Sequence, residues 1–385
     1  MVERVKRGRG RPSNAEKAAQ APSADENELA AAQKEIIKRY GEGSFLRGCD
    51  MHQPIRIPTG IFMLDFALLG GVPGSRITHV VGERHSGKSM VSDKIIAHAQ
   101  QMFPDSIAVK VDVEGTHDSV WSSKLGVDTE RLMVSNPETG EHAVDVADAM
   151  VHSKEVSIVV VDSIAALTPF KEVESSAEDA MVGEQARLVG RMVRKMSSGI
   201  IKERRRGHYP AVILVNQFRM KIGVMYGDPR TTPGGKALEF AASVNFIMKN
   251  KETVGKDAMD VEAVTENDHS FNITKNKLNG GPRTGEFRLR RVPNESLGLA
   301  EGEVDDAGTL LSFAKKFGIY SGGGAAWRLS FWDFDKTFRN SDAACKYLYE
   351  NRNDYWLLRN YLIWAQAGNL GMPESFLEQF LPEGG

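Results

Sequence analysis

Between residues 55 and 293 the apolar positions come in short, dense runs separated by stretches of helical spacing. Ile77–Val81, Ile107–Val113, Ser157–Val161 and Ala211–Val215 are each almost unbroken Val/Ile-rich segments. Runs of that kind suit strands covered by helices on both faces, because neither side of the strand needs a polar residue. After the first run, Val91, Ile95 and Ala99 fall on one side of a predicted helix. The alternation of strand and helix predicts an α/β fold with a mainly parallel central sheet. Val244–Met248, Phe271–Thr274 and Phe287–Val292 predict further strands, some of them antiparallel. The composition turns acidic and Gly-rich around Gly298–Gly308, and residues 309–380 then read as a small α/β unit with helices at Ala343–Glu350 and Trp356–Gln366. No repeat of 20–50 residues is visible, which excludes solenoids and propellers.

The amino-terminal pattern differs. Residues 1–24 are rich in Arg, Gly, Ser, Pro and Ala without periodicity, as in a disordered tail. The capping signature Ser23-Ala-Asp-Glu26 then predicts a helix whose Leu29, Ala32, Ile36 and Tyr40 share one face, with Gly41 as its stop. That apolar stripe requires a partner, either the chain's own core or a neighbouring subunit. The expected organisation is a tail at 1–24, a helix and linker at 25–54, a core at 55–297 and a small α/β domain at 298–385.

Composition narrows the class. The 385 residues are 41% hydrophobic and 26% charged, an ordinary soluble balance, and the formal net charge is -2. Basic residues are concentrated in the tail (Arg4, Lys6, Arg7, Arg9, Arg11, Lys17) and at Lys202–Arg206. Two cysteines, Cys49 and Cys345, match no metal-ligand spacing. The amino terminus lacks the apolar stretch of a signal peptide, and the longest apolar runs are too short to span a bilayer. A cytoplasmic protein with no membrane partner is expected.

Gly82-Glu83-Arg84-His85-Ser86-Gly87-Lys88-Ser89 fits G-x-x-x-x-G-K-[ST] and lies between a strand and a helix, as that phosphate-binding motif requires. Its glycines free backbone N–H groups to face a phosphate, and the helix start adds positive potential. Lys88 is placed to reach the β- and γ-phosphates of ATP, and the Ser89 hydroxyl to ligate Mg²⁺. Asp162 ends an apolar strand, the arrangement that holds Mg²⁺; an aspartate that merely caps a turn is the plain alternative. Strand ends favour the first reading, since ligands of open α/β sheets bind outside the carboxyl ends of the strands. Those ends carry the phosphate loop, Asp112 with Glu114, Asp162 with Ser163, and Asn216 with Gln217. Glu114 is the candidate general base for the attacking water.

Several longer segments then resemble one family. Leu125-Gly-Val-Asp128, Val160-Val-Asp162-Ser-Ile-Ala-Ala-Leu-Thr-Pro169, Asn216-Gln-Phe-Arg-Met-Lys-Ile-Gly-Val-Met-Tyr-Gly227, Thr231-Thr-Pro-Gly-Gly235 with Ala237-Leu238, and Lys275-Asn-Lys277 are similar to core segments of the bacterial and phage RecA recombinases. The resemblance runs from about residue 29 to 366 in the same order. It implies a RecA-like P-loop NTPase core that uses ATP and Mg²⁺, polymerises as a helical filament on single-stranded DNA, pairs it with double-stranded DNA and exchanges strands in recombination and repair. It implies two DNA-binding loops, roughly Glu172–Gly183 and Arg219–Gly234. Arg187, Arg194, Arg219, Lys221, Met220, Gly234 and Gly235 follow as DNA contacts, with Met220 among the apolar residues that could wedge between bases. Gln217 is then the γ-phosphate sensor. Lys275 and Lys277 reach a neighbour's ATP, Phe240 lies at the subunit interface, and Asp118 and Trp121 flank the adenine. The helix before the core becomes a polymerisation element, and single-strand-binding and mediator proteins become expected partners.

The departures are as specific as the matches. Arg84 and His85 stand where the family has small or acidic residues, which bears on turnover. The first DNA loop lacks the usual glycines, and the chain ends Leu-Pro-Glu-Gly-Gly without the family's acidic tail. Arg7-Gly-Arg9-Gly-Arg11-Pro12 resembles an AT-hook, so Arg9 and Arg11 are candidates for the minor groove, against a general attraction to nucleic acid. Two rival functions remain at this stage: a ring-shaped helicase or motor with the same ATPase core, and a DNA-coating filament that binds ATP with little hydrolysis.

Overall fold

A computed structural model describes residues 24–41, 43–45, 53–174, 183–220, 230–256, 262–278, 280–324 and 326–381. The tail with Arg9 and Arg11, residues 175–182 of the first expected DNA loop, and residues 221–229 of the second, including Lys221, lie outside the described residues. The chain divides into two units, residues 1–52 and 53–385.

The first unit contains helix α1 (Ala24–Tyr40). It stops where Gly41 takes φ +90°, a left-handed conformation open to glycine, and Gly41 N–H bonds Ile37 O at 2.8 Å. Leu29 and Tyr40, two members of the apolar stripe, are exposed.

The second unit begins with a short ribbon, β1 (Arg56–Ile57) against β2 (Val72–Pro73), around helix α2 (Phe62–Ala67). The main elements follow: β3 (Ile77–Gly82), α3 (Lys88–Met102), β4 (Ile107–Asp112), α4 (Ser119–Lys124), β5 (Leu132–Ser135), α5 (Gly140–Val151) and β6 (Val156–Asp162). After α6 (Phe170–Glu174) and α7 (Glu184–Arg205) come β7 (Ala211–Gln217), the ribbon strands β8 (Arg219–Met220) and β9 (Arg230–Thr231), and α8 (Gly235–Ala241). Strands β10 (Val244–Lys256), β11 (Glu262–Asn276) and β12 (Thr284–Arg290) complete an eight-stranded sheet of order β12-β11-β10-β3-β7-β6-β4-β5. From β10 to β5 all neighbours are parallel; β11 and β12 pair antiparallel at one edge.

The apolar runs work as their composition demands. Along β6, Ile158 and Val160 bury into one core, and Val159 and Val161 into a second. Along β7, Ile213 and Val215 face the first, and Val212 and Leu214 the second. Successive side chains of a strand point to opposite faces, so a sheet sandwiched between helices needs apolar residues at both parities. Helices α5 and α7 close the second face; α3 lies on the first.

The first core continues without interruption into the carboxyl-terminal elements: α9 (Ala307–Lys316), the three-stranded sheet β13 (Tyr320–Gly323), β14 (Ala326–Phe331) and β15 (Phe334–Phe338), then α10 (Ser341–Glu350), α11 (Arg352–Asn369) and α12 (Glu374–Leu377). Polar ties reinforce the seam. Arg359 on α11 donates through Nη2 to Asp65 Oδ2 at 2.8 Å and to Gly70 O at 2.9 Å. Asp65 Oδ1 accepts from Thr59 N–H at 2.7 Å and from Thr59 Oγ1 at 2.8 Å. Burial pushes the Asp65 pKa up, and Arg359 together with the Thr59 donors opposes it. A buried ion pair of this kind adds little over a well-packed apolar pair, but removing one partner strands a charge. Arg359→Met is therefore expected to cost about 3–5 kcal/mol in urea unfolding. Replacing Asp65 and Arg359 together by apolar residues is expected to recover most of that loss.

Candidate functional site

The phosphate loop joins the end of β3 to the start of α3, and its geometry needs its glycines. A Cβ on Gly82 would lie 2.2 Å from Ser86 Oγ and 2.7 Å from Met248 O. Gly87 takes φ +88° as the residue before the helix, and a Cβ there would meet His269 Cε1 at 2.6 Å. His85 also has positive φ, +57°, a conformation that disfavours residues with a Cβ. Arg84 and His85 are exposed at the tip of the loop and line its cleft. Lys88 is buried and folds back, donating Nζ to Glu83 O at 2.5 Å. Burial lowers the Lys88 pKa, and the nearby Asp162 and Glu114 carboxylates raise it. This cradle of backbone amides and one ammonium suits a polyphosphate.

The carboxyl ends of β4, β6 and β7 supply the acidic wall. Ser89 hydrogen-bonds the Asp162 carboxylate, a hydroxyl and a carboxylate placed together as a Mg²⁺ ion would require. Burial raises the Asp162 pKa, partly offset by Lys110 and Ser89. Glu114 Oε1 accepts from Ser163 Oγ at 2.6 Å and from Gln217 Nε2 at 2.7 Å. One carboxylate oxygen thus ties three strand ends together. Asp112 is committed elsewhere: Oδ2 accepts from His117 N–H at 2.8 Å.

Around these groups lies a cleft of ≈ 760 Å³. Arg84, His85, Ser86, Gly87, Lys88, Ser89, Glu114, Trp121, Asp162, Gln217 and Arg219 line it, so most of the sequence-derived nucleotide residues converge. Trp121 carries the Arg291 guanidinium over its ring at 4.2 Å from the centroid. Asp118 stands differently: its Oδ1 accepts from the N–H groups of Val120 and Trp121 and caps α4. The far wall went unread in the sequence. Glu252 on β10 and Val264, Asn267 and His269 on β11 line it, with Thr116 and Arg291. His269 stacks on Phe287 at 5.0 Å, and burial pushes its pKa down to about 4. A buried support also went unread. Lys110 donates Nζ to Asp93 Oδ1 at 2.8 Å, and Ser122 Oγ donates to Asp93 Oδ2 at 2.7 Å, joining β4, α3 and α4. A lone lysine inside the apolar run Ile107–Val113 was the available signal.

The roots of both expected DNA loops reach this cleft. β8 and β9 pair antiparallel one residue beyond Gln217, with Phe218 between. Arg219 lines the cleft and donates Nη2 to Ala165 O at 2.8 Å; Met220 is exposed. Gln185 Nε2 donates to Ala165 O at 3.1 Å and to Leu167 O at 2.9 Å, fixing the start of α7 to the exit of β6. Gly234 and Gly235, at φ +93° and +60°, turn the chain into α8, and a Cβ on Gly234 would lie 2.6 Å from Val189 Cγ1. Arg187 and Arg194 are exposed on α7, with Arg187 paired to Glu184 at 2.9 Å. The basic run Lys202–Arg206 is partly structural, since Arg206 Nη1 donates to the buried Glu203 at 3.0 Å.

Lys275, Lys277 and Phe240 gather elsewhere. Both ammonium groups donate to Phe240 O, at 3.1 and 3.3 Å, beside the exposed Phe240 ring. They sit where β10 starts, beside Thr78 at the beginning of β3, whereas the phosphate loop leaves that strand's other end. None of the three lines this chain's cleft.

The comparisons with known proteins agree over most of the length. The family model described as "RecA N-terminal domain" matches residues 27–290. Protein RecA of Mycobacteroides abscessus is 40% identical over 306 residues, 78% of this chain and 84% of the relative. Protein RecA of Roseiflexus sp. is 39% identical over 299 residues, 77% of this chain and 81% of the relative. Protein RecA of Frankia casuarinae is 38% identical over 329 residues, 85% and 89%.

A buried histidine couples the sheet to the second loop's root. Asn216 Nδ2 donates to His79 Nε2 at 3.2 Å and to Pro233 O at 3.0 Å. Accepting from an amide requires neutral imidazole, and burial accordingly lowers the His79 pKa to about 4. The unfolded chain takes up this proton near pH 6.5, the native state only near 4, so stability is lost as pH falls through that window and is unaffected above it. The loss attributable to His79 is about 3 kcal/mol. His79→Gln is expected to reduce the acid-induced fall in unfolding free energy between pH 6.5 and 4, read by urea titration at several pH values.

Proposed function

The chain belongs to the RecA family, as an ATP-dependent DNA recombinase, and we propose that it works as a DNA-dependent ATPase with its nucleotide in the cleft between α3 and the β4, β6 and β7 ends. The single observation carrying this reading is the shared oxygen of Glu114, which receives both Ser163 and Gln217. It places the candidate base one hydrogen bond from the residue that opens the β8–β9 ribbon. ATP with Mg²⁺ supplies the phosphoryl group and its counter-charge when bound. Gly82–Ser89 would cradle the phosphates, with Lys88 exchanging its hold on Glu83 O for them. Ser89 and Asp162 would hold the metal. Glu114 orients and deprotonates the attacking water, and Gln217 exchanges Glu114 for the terminal phosphate, moving the ribbon with it. Trp121 flanks the base; Asp118 acts there indirectly, by fixing the start of α4.

In this reading Arg187, Arg194, Arg219, Lys221, Met220, Gly234 and Gly235 form the single-strand groove, and homology is read by base pairing. Phe240, Lys275 and Lys277 meet the neighbouring protomer, so that each ATP is shared between two chains of a helical filament. Their position outside their own cleft supports that assignment. The tail with Arg9 and Arg11 adds affinity for duplex DNA. Single-strand-binding and mediator proteins are the further partners of such a filament, and the cytoplasm its place of work. Among the described residues no helix is long and apolar enough to cross a membrane. Family membership does not favour the ring-motor or the non-hydrolysing alternative.

Strand exchange between a circular single strand and a homologous linear duplex is the test. Wild type is expected to exchange strands with ATP. Glu114→Gln is expected to bind nucleotide yet hydrolyse it about 100-fold more slowly or worse, as loss of a general base predicts. Lys88→Ala is expected to lose nucleotide affinity. Equal DNA-stimulated phosphate release from wild type and both variants would refute the assignment.

A further inference from the structure

Six residues beyond Lys88, α3 carries Lys94 into a second cavity of ≈ 230 Å³, bounded also by Gly60, His98, Lys124, Glu303 and Arg352. The Lys94 side chain is buried, with 8% of its surface exposed. Among the described residues its ammonium has no hydrogen bond and no ion pair, and the carboxylates of Glu303 and Asp306 attract it only through space. Both carboxylates are already engaged. Glu303 accepts from Arg352 Nη2, and from Ala300 N–H at 2.7 Å. Asp306 accepts from Phe62 N–H at 2.9 Å and from Tyr355 Oη at 2.8 Å.

Of the three cations in the lining, Lys124 pairs with Glu301 at 2.8 Å and Arg352 with Glu303, which leaves Lys94 as the one without an ion pair. His98 adds no charge, since burial pushes its pKa down to about 3. A buried ammonium with no hydrogen bond or ion pair is costly, and native chains keep one where something else supplies the contact. Burial here has already lowered the Lys94 pKa to about 8. The volume lies below the roughly 300 Å³ at which small-molecule pockets begin, so it suits an anion of one or two phosphate groups better than a whole nucleotide. Arg352 adds a planar fork of donors of the kind that matches phosphate oxygens.

We propose that this cavity binds a small multivalent phosphate anion, inorganic phosphate or pyrophosphate, held by Lys94 and Arg352 between α3 and α11. An anion there would bridge the helix that begins at Lys88 to the carboxyl-terminal elements, independently of the nucleotide cleft.

Calorimetric titration of the full chain with pyrophosphate, in chloride at constant ionic strength, tests this. The Lys88→Ala background silences the first cleft. One pyrophosphate site is expected to remain in it, weakened roughly tenfold or more by adding Lys94→Met or Arg352→Gln, the loss of a charge-assisted hydrogen bond. Without ligand, Lys94→Met is expected to raise the Tm, because the buried, unpaired ammonium is gone; Lys94→Gln serves if the Met variant does not fold. No pyrophosphate binding in the Lys88→Ala protein, or binding indifferent to both Lys94 and Arg352, overturns the proposal. So does loss of self-assembly by Lys94→Met with pyrophosphate binding intact, which would make the cavity a seat for another protein's side chain.

Discussion

A sheet buried on both faces leaves a polar side chain only two places to go: the ends of its strands, or a fully satisfied interior pair. That constraint organises this molecule. Along β6 and β7 the residues of either parity are apolar because helices cover both sides, and the polar residues Asp162, Asn216 and Gln217 appear where the strands run out. Because the strands are parallel, those ends lie together on one edge, and the phosphate loop leaves the neighbouring strand at the same edge. Lys110 on β4, like His79 on β3, is an exception within a strand. It is tolerated because Asp93 neutralises it and Ser122 occupies the second carboxylate oxygen.

The same constraint determines how much of the fold is legible in the sequence. Strands with two buried faces write themselves as apolar runs, and all four central ones were legible to within two residues of their observed ends. The long hairpin β10–β11 was legible only in its inner half, Val244–Met248 and Phe271–Thr274. Its outer half, with Lys249, Asn250, Lys251 and Glu252 opposite Ser270, His269, Asp268 and Asn267 in turn, is polar on both strands and is held by the ladder between them. The cleft's far wall, including Glu252, Asn267 and His269, was hidden for that reason. The short edge strand β5 left no comparable run. Asp118 shows a different limit: the family resemblance put it beside the adenine, and only the fold shows that its Oδ1 also caps α4 by accepting from two backbone N–H groups.

The carboxyl-terminal elements are bound to the core by more than apolar area. Asp65 and Asp306 sit in the interior, each with every oxygen accepting from a donor on a different element. Partners drawn from residues as far apart as 65 and 359 fix the docking angle, because a shift of either side breaks several hydrogen bonds together. The Lys94 cavity lies along this seam, where α3 meets α11, and that is why a feature of the carboxyl-terminal elements bears on the helix that starts at the phosphate loop.

Ser163 and Gln217 both donate to Oε1 of Glu114, while no described residue donates to Oε2. One oxygen of the carboxylate joins the strand ends, and on the proposed role of Glu114 the other is the one left for the attacking water. Shortening the side chain, rotating it or replacing it alters both at once, since the two oxygens share a single carbon. On the proposed role of Glu114, turnover and the coupling of the cleft to the β8–β9 ribbon therefore depend on one side chain rather than two.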